Sequence, residues 1–211
     1  MSTIVPIHNS NLLKPILSSY GPDYLASEQI NELTSCFQRW YDTSPTDKKR
    51  EIRGRYWLGF LLLRFTGGRL GEVLNIDDSK DIDFREAEIR LITLKRKKKF
   101  YRQVFVPHGV ISEIATYIAE FPHKRGKIFK IDPSNFRKIF KEICAQTKII
   151  PKKLAHPHVL RHTRAIEMLR AGVPVTIVQD QLGHAHLSTT AIYLKISGQE
   201  AKKIMAERKL I

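Results

Sequence analysis

Residues 157–193 are divided by prolines, glycines and a serine into short helical pieces, and that division places two histidines, an arginine and a tyrosine at fixed offsets. Pro157 suits the first turn of a helix, on which His158 and Arg161, three residues apart, share one face. Gly172 reads as the stop of that helix. Pro174 then opens VPVTIVQDQL, which ends at Gly183 with His184 directly after it. Ser188 is the expected N-cap of a further helix, STTAIYLK, carrying Tyr193 about a turn and a half inside.

The remaining chain supplies the scaffold. Pro6, Pro15 and Pro22 make residues 1–23 an irregular lead-in rather than a domain. From Ser27, read as an N-cap, Ile30, Leu33, Phe37, Trp40 and Tyr41 recur at helical spacing as core positions, up to a linker, DTSPTDKKR. Residues 53–65, RGRYWLGFLLLRF, are apolar on nearly all sides, as in a buried central helix, and stop at Gly67 and Gly68. RLGEVLNI follows as a second helix. DIDF, EIRLITL and QVFVP read as short strands, with KRKKKFYR as a hairpin tip between the last two. Val110, Ile111, Ile114, Ala115 and Ile118 form another helical stripe, and GKIFKI a strand-like link. Ser134 is read as the cap of NFRKIFKEICAQ, which turns Phe136, Ile139, Phe140 and Ile143 inward and Arg137, Lys138 and Lys141 outward. The expected fold is mainly α with a small antiparallel β-sheet.

Charge narrows the partner. Thirty-six Lys and Arg against 21 Asp and Glu leave a net +15 among 211 residues, which points to a polyanion, with nucleic acid first. Cys36 and Cys144 are too few and too far apart for a CxxC metal site and fit a reduced, cytoplasmic compartment. The most apolar run, WLGFLLL at 57–63, is far below the roughly 18 residues that a membrane span needs, and MSTIVPIHNS lacks the pattern of an export signal.

HVLRH, LGH and TTAIY, in this order and at this spacing, resemble the C-terminal signature of the tyrosine recombinase (phage integrase) family. The resemblance extends upstream to TGGRLGEV at 66–73, and so runs from about Tyr24 to the C-terminus. It implies a tyrosine recombinase catalytic domain over residues 24–211, in which Arg69 and Arg161 clamp a phosphate, Tyr193 is the nucleophile, His158 is the candidate base and His184 holds the developing phosphate charge by hydrogen bonding. It also implies a catalytic lysine on the hairpin acting as general acid. Lys95 is the first choice, with Lys97 and Lys99 as reserves and as DNA contacts. Glu72 reads equally as an orienting group or as a surface carboxylate, and Gly71 stands where the family usually has serine or threonine. Arg137 and Lys141 would track a DNA backbone. The family carries a separate core-binding domain of about 100 residues, a typical domain size, which is not expected here, so the chain reads as either a fragment or a minimal enzyme. Its C-terminal segment, GQEAKKIMAERKLI, would dock on a neighbouring protomer in a tetrameric synapse on double-stranded DNA, or pack on its own domain.

These residue types suit phosphodiester transfer. Guanidinium stays charged and bonds two oxygens in a plane. A phenol of pKa about 10 needs a neighbouring base or cationic field to attack near neutrality. A phosphotyrosine conserves the energy of the broken bond, and GxxxxGK[ST] does not occur in the sequence, so neither a nucleotide nor another cofactor is expected. Nor is a metal: Asp77 and Asp78 are adjacent and point apart. The rival is a zinc site built from His156, His158, His162, His184 and His186, but it leaves both arginines and Tyr193 idle; His156, His162 and His186 read as packing or capping residues. Two DNA-directed rivals stand beside it: a regulator that binds DNA with the same fold and does not cleave, and a type IB topoisomerase, which shares the chemistry.

Overall fold

The computed structural model describes residues 23–93 and 100–184 together with positions 190, 193, 205, 206 and 209. Helix α1 (Ser27–Asp42) starts one residue after Ala26, whose backbone N–H donates to the Gln29 side-chain oxygen at 2.9 Å. Ser27 is therefore the first helical residue and not the cap expected from sequence. Ile30, Leu33, Phe37 and Tyr41 are buried on one stripe, and Trp40 is half-buried.

Helix α2 (Asp47–Thr66) is longer than its apolar run. Thr46 Oγ1 accepts from the Lys49 N–H, and Asp47 lies at the positive end of the helix dipole. These caps recruit DKKR, expected in the linker, into the first turn. From Trp57 to Leu63 every residue is buried, and α2 packs against α1 through a stacked Phe37–Phe60 pair with centroids 4.2 Å apart. It ends at Gly67, whose φ of +64° is an αL cap. Helix α3 (Leu70–Leu74) follows, then a single turn, α4 (Asp78–Asp81).

The sheet is antiparallel in the order β1 (Ile82–Asp83), β2 (Glu88–Thr93), β3 (Phe100–Phe105). Ile89 pairs with Val104 and Leu91 with Arg102; Ile89, Leu91 and Val104 are fully buried on the core face. Strand β1 is shorter than DIDF, because Asp81 completes the preceding turn. Strand β3 begins three residues before QVFVP, because Phe100, Tyr101 and Arg102 pair with β2 instead of belonging to the hairpin tip. Leu94, the last residue of EIRLITL, and residues 95–99 of that tip lie outside the described residues.

Helix α5 (His108–Glu120) buries Val110, Ile111, Ile114 and Ile118, and Tyr117 as well. GKIFKI forms no strand: Ile128 and Phe129 plug into the core, while the Gly126 carbonyl accepts from the Asp78 N–H and the Gly126 N–H donates to the Asp78 carboxylate. Helix α6 (Pro133–Gln146) is capped by Asp132, not Ser134, since the carboxylate accepts the N–H groups of Ser134 and Asn135 at 2.8 and 3.1 Å. Phe136, Phe140 and Ile143 are buried, and Ile139 is half-buried.

Helices α7 (His158–Arg170) and α8 (Val175–Leu182) stand where the turn-formers put them, with Gly172 and Gly183 at φ of +80° and +69°. Arg64 of α2 forks onto Glu167 of α7 at 2.5 and 2.6 Å, fixing the helix that carries the candidate residues to the central one. Thr190 and Tyr193 are helical, whereas Ser188 and most of the C-terminal stripe lie outside the described residues. Among the described residues no helix is long and apolar enough to cross a membrane.

Candidate active site

The site forms where the end of α2 meets the start of α7. After Gly67 the chain turns, and Arg69 becomes the residue preceding α3. Gly67 must be glycine on two counts: its φ is positive, and an added Cβ would fall 2.5 Å from Leu182 Cδ2. Its carbonyl accepts from Arg161 Nη1 at 2.8 Å. The turn that delivers the first arginine thus holds the second.

Glu72 organises the other side. Its carboxylate, only 2% exposed, accepts from Arg69 Nη1 at 2.8 Å, from the Arg69 backbone N–H at 3.1 Å and from Arg102 Nη2 at 2.7 Å. Of the two readings left open for Glu72, the geometry matches the orienting one. Burial opposes its charge, but Arg102 and Arg69 hold its pKa below the usual value. Two guanidinium groups, those of Arg69 and Arg102, pair with this one carboxylate, and the charge of Arg161 lies close enough to feel it. Arg161 is 3% exposed, and its Nη2 has no hydrogen-bond partner among the described residues. Burial and the neighbouring Arg69 and Arg102 lower the Arg161 pKa to about 10, so it remains charged at neutral pH.

Tyr193 packs into this corner at 4% exposure, its hydroxyl 2.7 Å from His162 Nδ1. His162, read from sequence as a packing or capping residue, is therefore the histidine in contact with the tyrosine. His158 lies one turn earlier on the same helix with its ring edge-on to His162, centroids 4.6 Å apart. The ring of His184 lies nearly parallel to that of Tyr193 at 6.4 Å, and its Nδ1 is 2.8 Å from Thr190 Oγ1. Burial pushes His162 down to about 4, with His158 and Arg161 adding to the effect. Burial, then Arg161, Arg69 and Arg102, push His184 down to about 3. Both are neutral at pH 7. Burial raises the Tyr193 phenol, and Arg161 opposes it.

The structure thus brings Arg69, Arg161, His184 and Tyr193 together, with His158 at the edge. Lys95, Lys97 and Lys99 lie outside the described residues. Arg137 lines a cavity of about 320 Å³ with Arg69, His156 and His158, whereas Lys141 is exposed further along α6. Sequence reading missed His162 and Arg102. His162 adjoins Arg161 but carries no spacing signal of its own. Arg102 had one: it shares a strand face with Val104, so a charge stands where alternation calls for an apolar residue. Among the described residues, no group of three or more His, Cys, Asp or Glu side chains is positioned to hold a metal ion.

A model of the phage integrase family matches residues 23–200. The chain belongs to the phage integrase family. Among family members, a tyrosine recombinase of Thermosipho africanus (strain TCF52B) is 33% identical over 194 residues, covering 90% of this chain and 62% of that protein. The chain spans about three-fifths of the length of the relatives it matches. Its phage integrase fold is similar to that of the XerH site-specific recombinase bound to palindromic difH substrate in a post-cleavage complex, with TM-score 0.70, 21% identity, and coverage of 88% of this chain and 53% of that one. The catalytic domain of bacteriophage HP1 integrase matches with TM-score 0.58 and 22% identity, covering 84% of this chain and 91% of that one.

Proposed function

We propose that residues 24–211 are the catalytic domain of a site-specific DNA recombinase that cleaves and rejoins double-stranded DNA through a 3′-phosphotyrosine, without metal or nucleotide. The observation that carries this reading is the buried Arg161 Nη2, without a partner among the described residues, beside Arg69 and next to a tyrosine whose hydroxyl meets a neutral histidine. Three guanidinium groups against one carboxylate leave surplus positive charge, which matches a diester anion and still better the more highly charged transition state.

Arg69 and Arg161 bind the non-bridging oxygens, and the Tyr193 oxygen attacks phosphorus. In the tautomer protonated at Nε2, His162 Nδ1 accepts the phenolic proton; His158, the other candidate base, faces the cavity shared by Arg69 and Arg137. His184 steadies the phosphate by hydrogen bonding. The bond to the 5′ oxygen breaks, and a lysine of the hairpin tip, Lys95 first, then Lys97 or Lys99, protonates it. Arg137 and Lys141, with Lys97 and Lys99, follow the backbone of the duplex. The protein works on DNA in the cytoplasm and assembles as a tetramer on it through its C-terminal segment.

The test is a nicked duplex from the native locus, incubated without metal and run on a denaturing gel. Wild type gives a covalent protein–DNA adduct and Tyr193→Phe gives none. Tight binding of that duplex by wild type with no adduct overturns the cleavage reading in favour of a non-cleaving regulator. Relaxation of supercoiled plasmid lacking the site favours a topoisomerase.

A further inference from the structure

We infer that Arg102 is a positioning residue that sets the register of the lysine-bearing hairpin against the Arg69 clamp and the His184 turn. The inference rests on the recombinase reading above. Arg102 lies on the core face of β3, opposite Leu91 in the pairing with β2, and its side chain is 11% exposed. A guanidinium that only stabilised the sheet would fork onto one carboxylate. This one spreads its donors over three elements, each leading to a residue of the site. Nη2 donates to Glu72, the acid that also holds Arg69. Nη1 donates to Thr93 Oγ1 at 3.2 Å, at the last described residue of β2, two positions before Lys95. Nε donates to the Gln181 carbonyl at 3.1 Å, in the last turn of α8, three positions before His184.

The turn after α8 lies directly on this group: a Cβ added to Gly183 would stand 2.8 Å from both Cζ and Nη1 of Arg102, so a side chain there would displace the guanidinium from its partners. Glu72 already pairs with Arg69, so a second, more deeply buried arginine on it leaves the cluster net positive and adds desolvation cost. Beyond its charge Arg102 contributes geometry: a planar fork with five donors holds three acceptors in fixed relative directions, whereas the three donors of an ammonium sit on one freely rotating nitrogen.

In cleavage the new bond joins the Tyr193 oxygen to phosphorus, and the bond from phosphorus to the 5′ oxygen breaks. The departing electron pair stays on that oxygen, which takes the lysine proton. A sulfur at this bridging position leaves as thiolate and needs no proton. A residue that acts by aiming the lysine is therefore dispensable on the sulfur substrate, whereas one needed for the arginines or for folding is not.

Single-turnover cleavage is measured for wild type, Arg102→Met, Arg102→Lys, Thr93→Val and a triple Lys95→Ala, Lys97→Ala, Lys99→Ala variant, on nicked duplexes with bridging oxygen or sulfur. Expected are losses on the oxygen substrate of roughly 100-fold for Arg102→Met and Arg102→Lys, as for a displaced catalytic group, and less for Thr93→Val, which cuts only the hairpin leg. Sulfur restores most of each loss, while DNA affinity stays near wild type. Equal losses on both substrates, or no loss in Arg102→Lys and Thr93→Val, overturn the inference. Should Arg102→Met fail to fold, the other two variants decide. No adduct from wild type on either substrate instead sinks the recombinase reading. A triple variant that sulfur does not rescue removes the lysine acid, and the inference with it.

Discussion

At the residue scale, the proposed chemistry turns on the contact between His162 and Tyr193. With a neutral histidine at the hydroxyl, His162→Ala should slow cleavage by roughly 10²- to 10⁴-fold, the usual worth of a proton-transfer partner. His158→Ala tests the other candidate base in the same assay, and a larger loss there would reverse the assignment. The two depressed histidines also make a stability prediction. His162 and His184 titrate at about 4 and about 3 when folded, below the roughly 6.5 of an unfolded histidine. As pH falls through 6.5 the unfolded chain takes up protons that the folded chain refuses, so stability declines from pH 6.5 toward 4. The slope should be about 1 kcal/mol per pH unit per histidine after allowance for partial solvent access. Urea titrations at pH 7 and pH 5 measure it, and His162→Gln should remove about half. Arg161 and Tyr193 were legible as residues because their types and offsets form a pattern; His162 was not, since its partner is 31 positions away in the chain.

At the element scale, local chemistry explains most boundaries. Gly172, Pro174 and Gly183 delimited α7 and α8 correctly, because a positive φ or a missing N–H acts on its immediate neighbours. The caps were harder: Ser27 and Ser134 have suitable side chains, but Gln29 and Asp132 supply the bonds. Asp132→Ala should cost about 1 kcal/mol of stability by urea denaturation, the typical worth of an N-cap, and leave cleavage per folded molecule unchanged. Gly67→Ala should behave differently. The αL strain and the approach of Leu182 should cost about 1–3 kcal/mol, and because the Gly67 carbonyl holds Arg161, cleavage should fall as well. Wild-type activity in a folded Gly67→Ala protein would show that the turn does not position that arginine.

At the scale of the whole molecule, the proposed recombinase would meet DNA chiefly through its charge. A net +15 predicts an affinity that drops steeply with salt, its logarithm falling linearly with the logarithm of salt concentration. Arg137→Ala and Lys141→Ala should each reduce that slope by about 1 if each contacts a phosphate, with a uniform weakening across sequences. Filter binding at several salt concentrations measures this, and an unchanged slope removes the residue from the interface. Adduct formation should persist in EDTA, since in the proposed mechanism the charge at the phosphate comes from the Arg69 and Arg161 guanidinium groups. Loss of the adduct in EDTA would revive a metal-dependent reading.

What could be read from the linear chain was whatever acts over a few residues. That covers helix periodicity, the glycine and proline stops, the polyanion preference, and the family signature with its arginines, histidines and tyrosine. The three-dimensional fold decided which groups meet. It put His162 on Tyr193, turned the Gly67 carbonyl onto Arg161, and brought Glu72, Thr93 and Gln181 to a single arginine of β3. These contacts join positions 9 to 94 residues apart. They depend on how α2, α7, α8 and the sheet pack, and no local propensity encodes that. Hydrogen bonds are short-ranged and directional, so a displacement of about 1 Å in that packing breaks them while leaving every helix and strand intact.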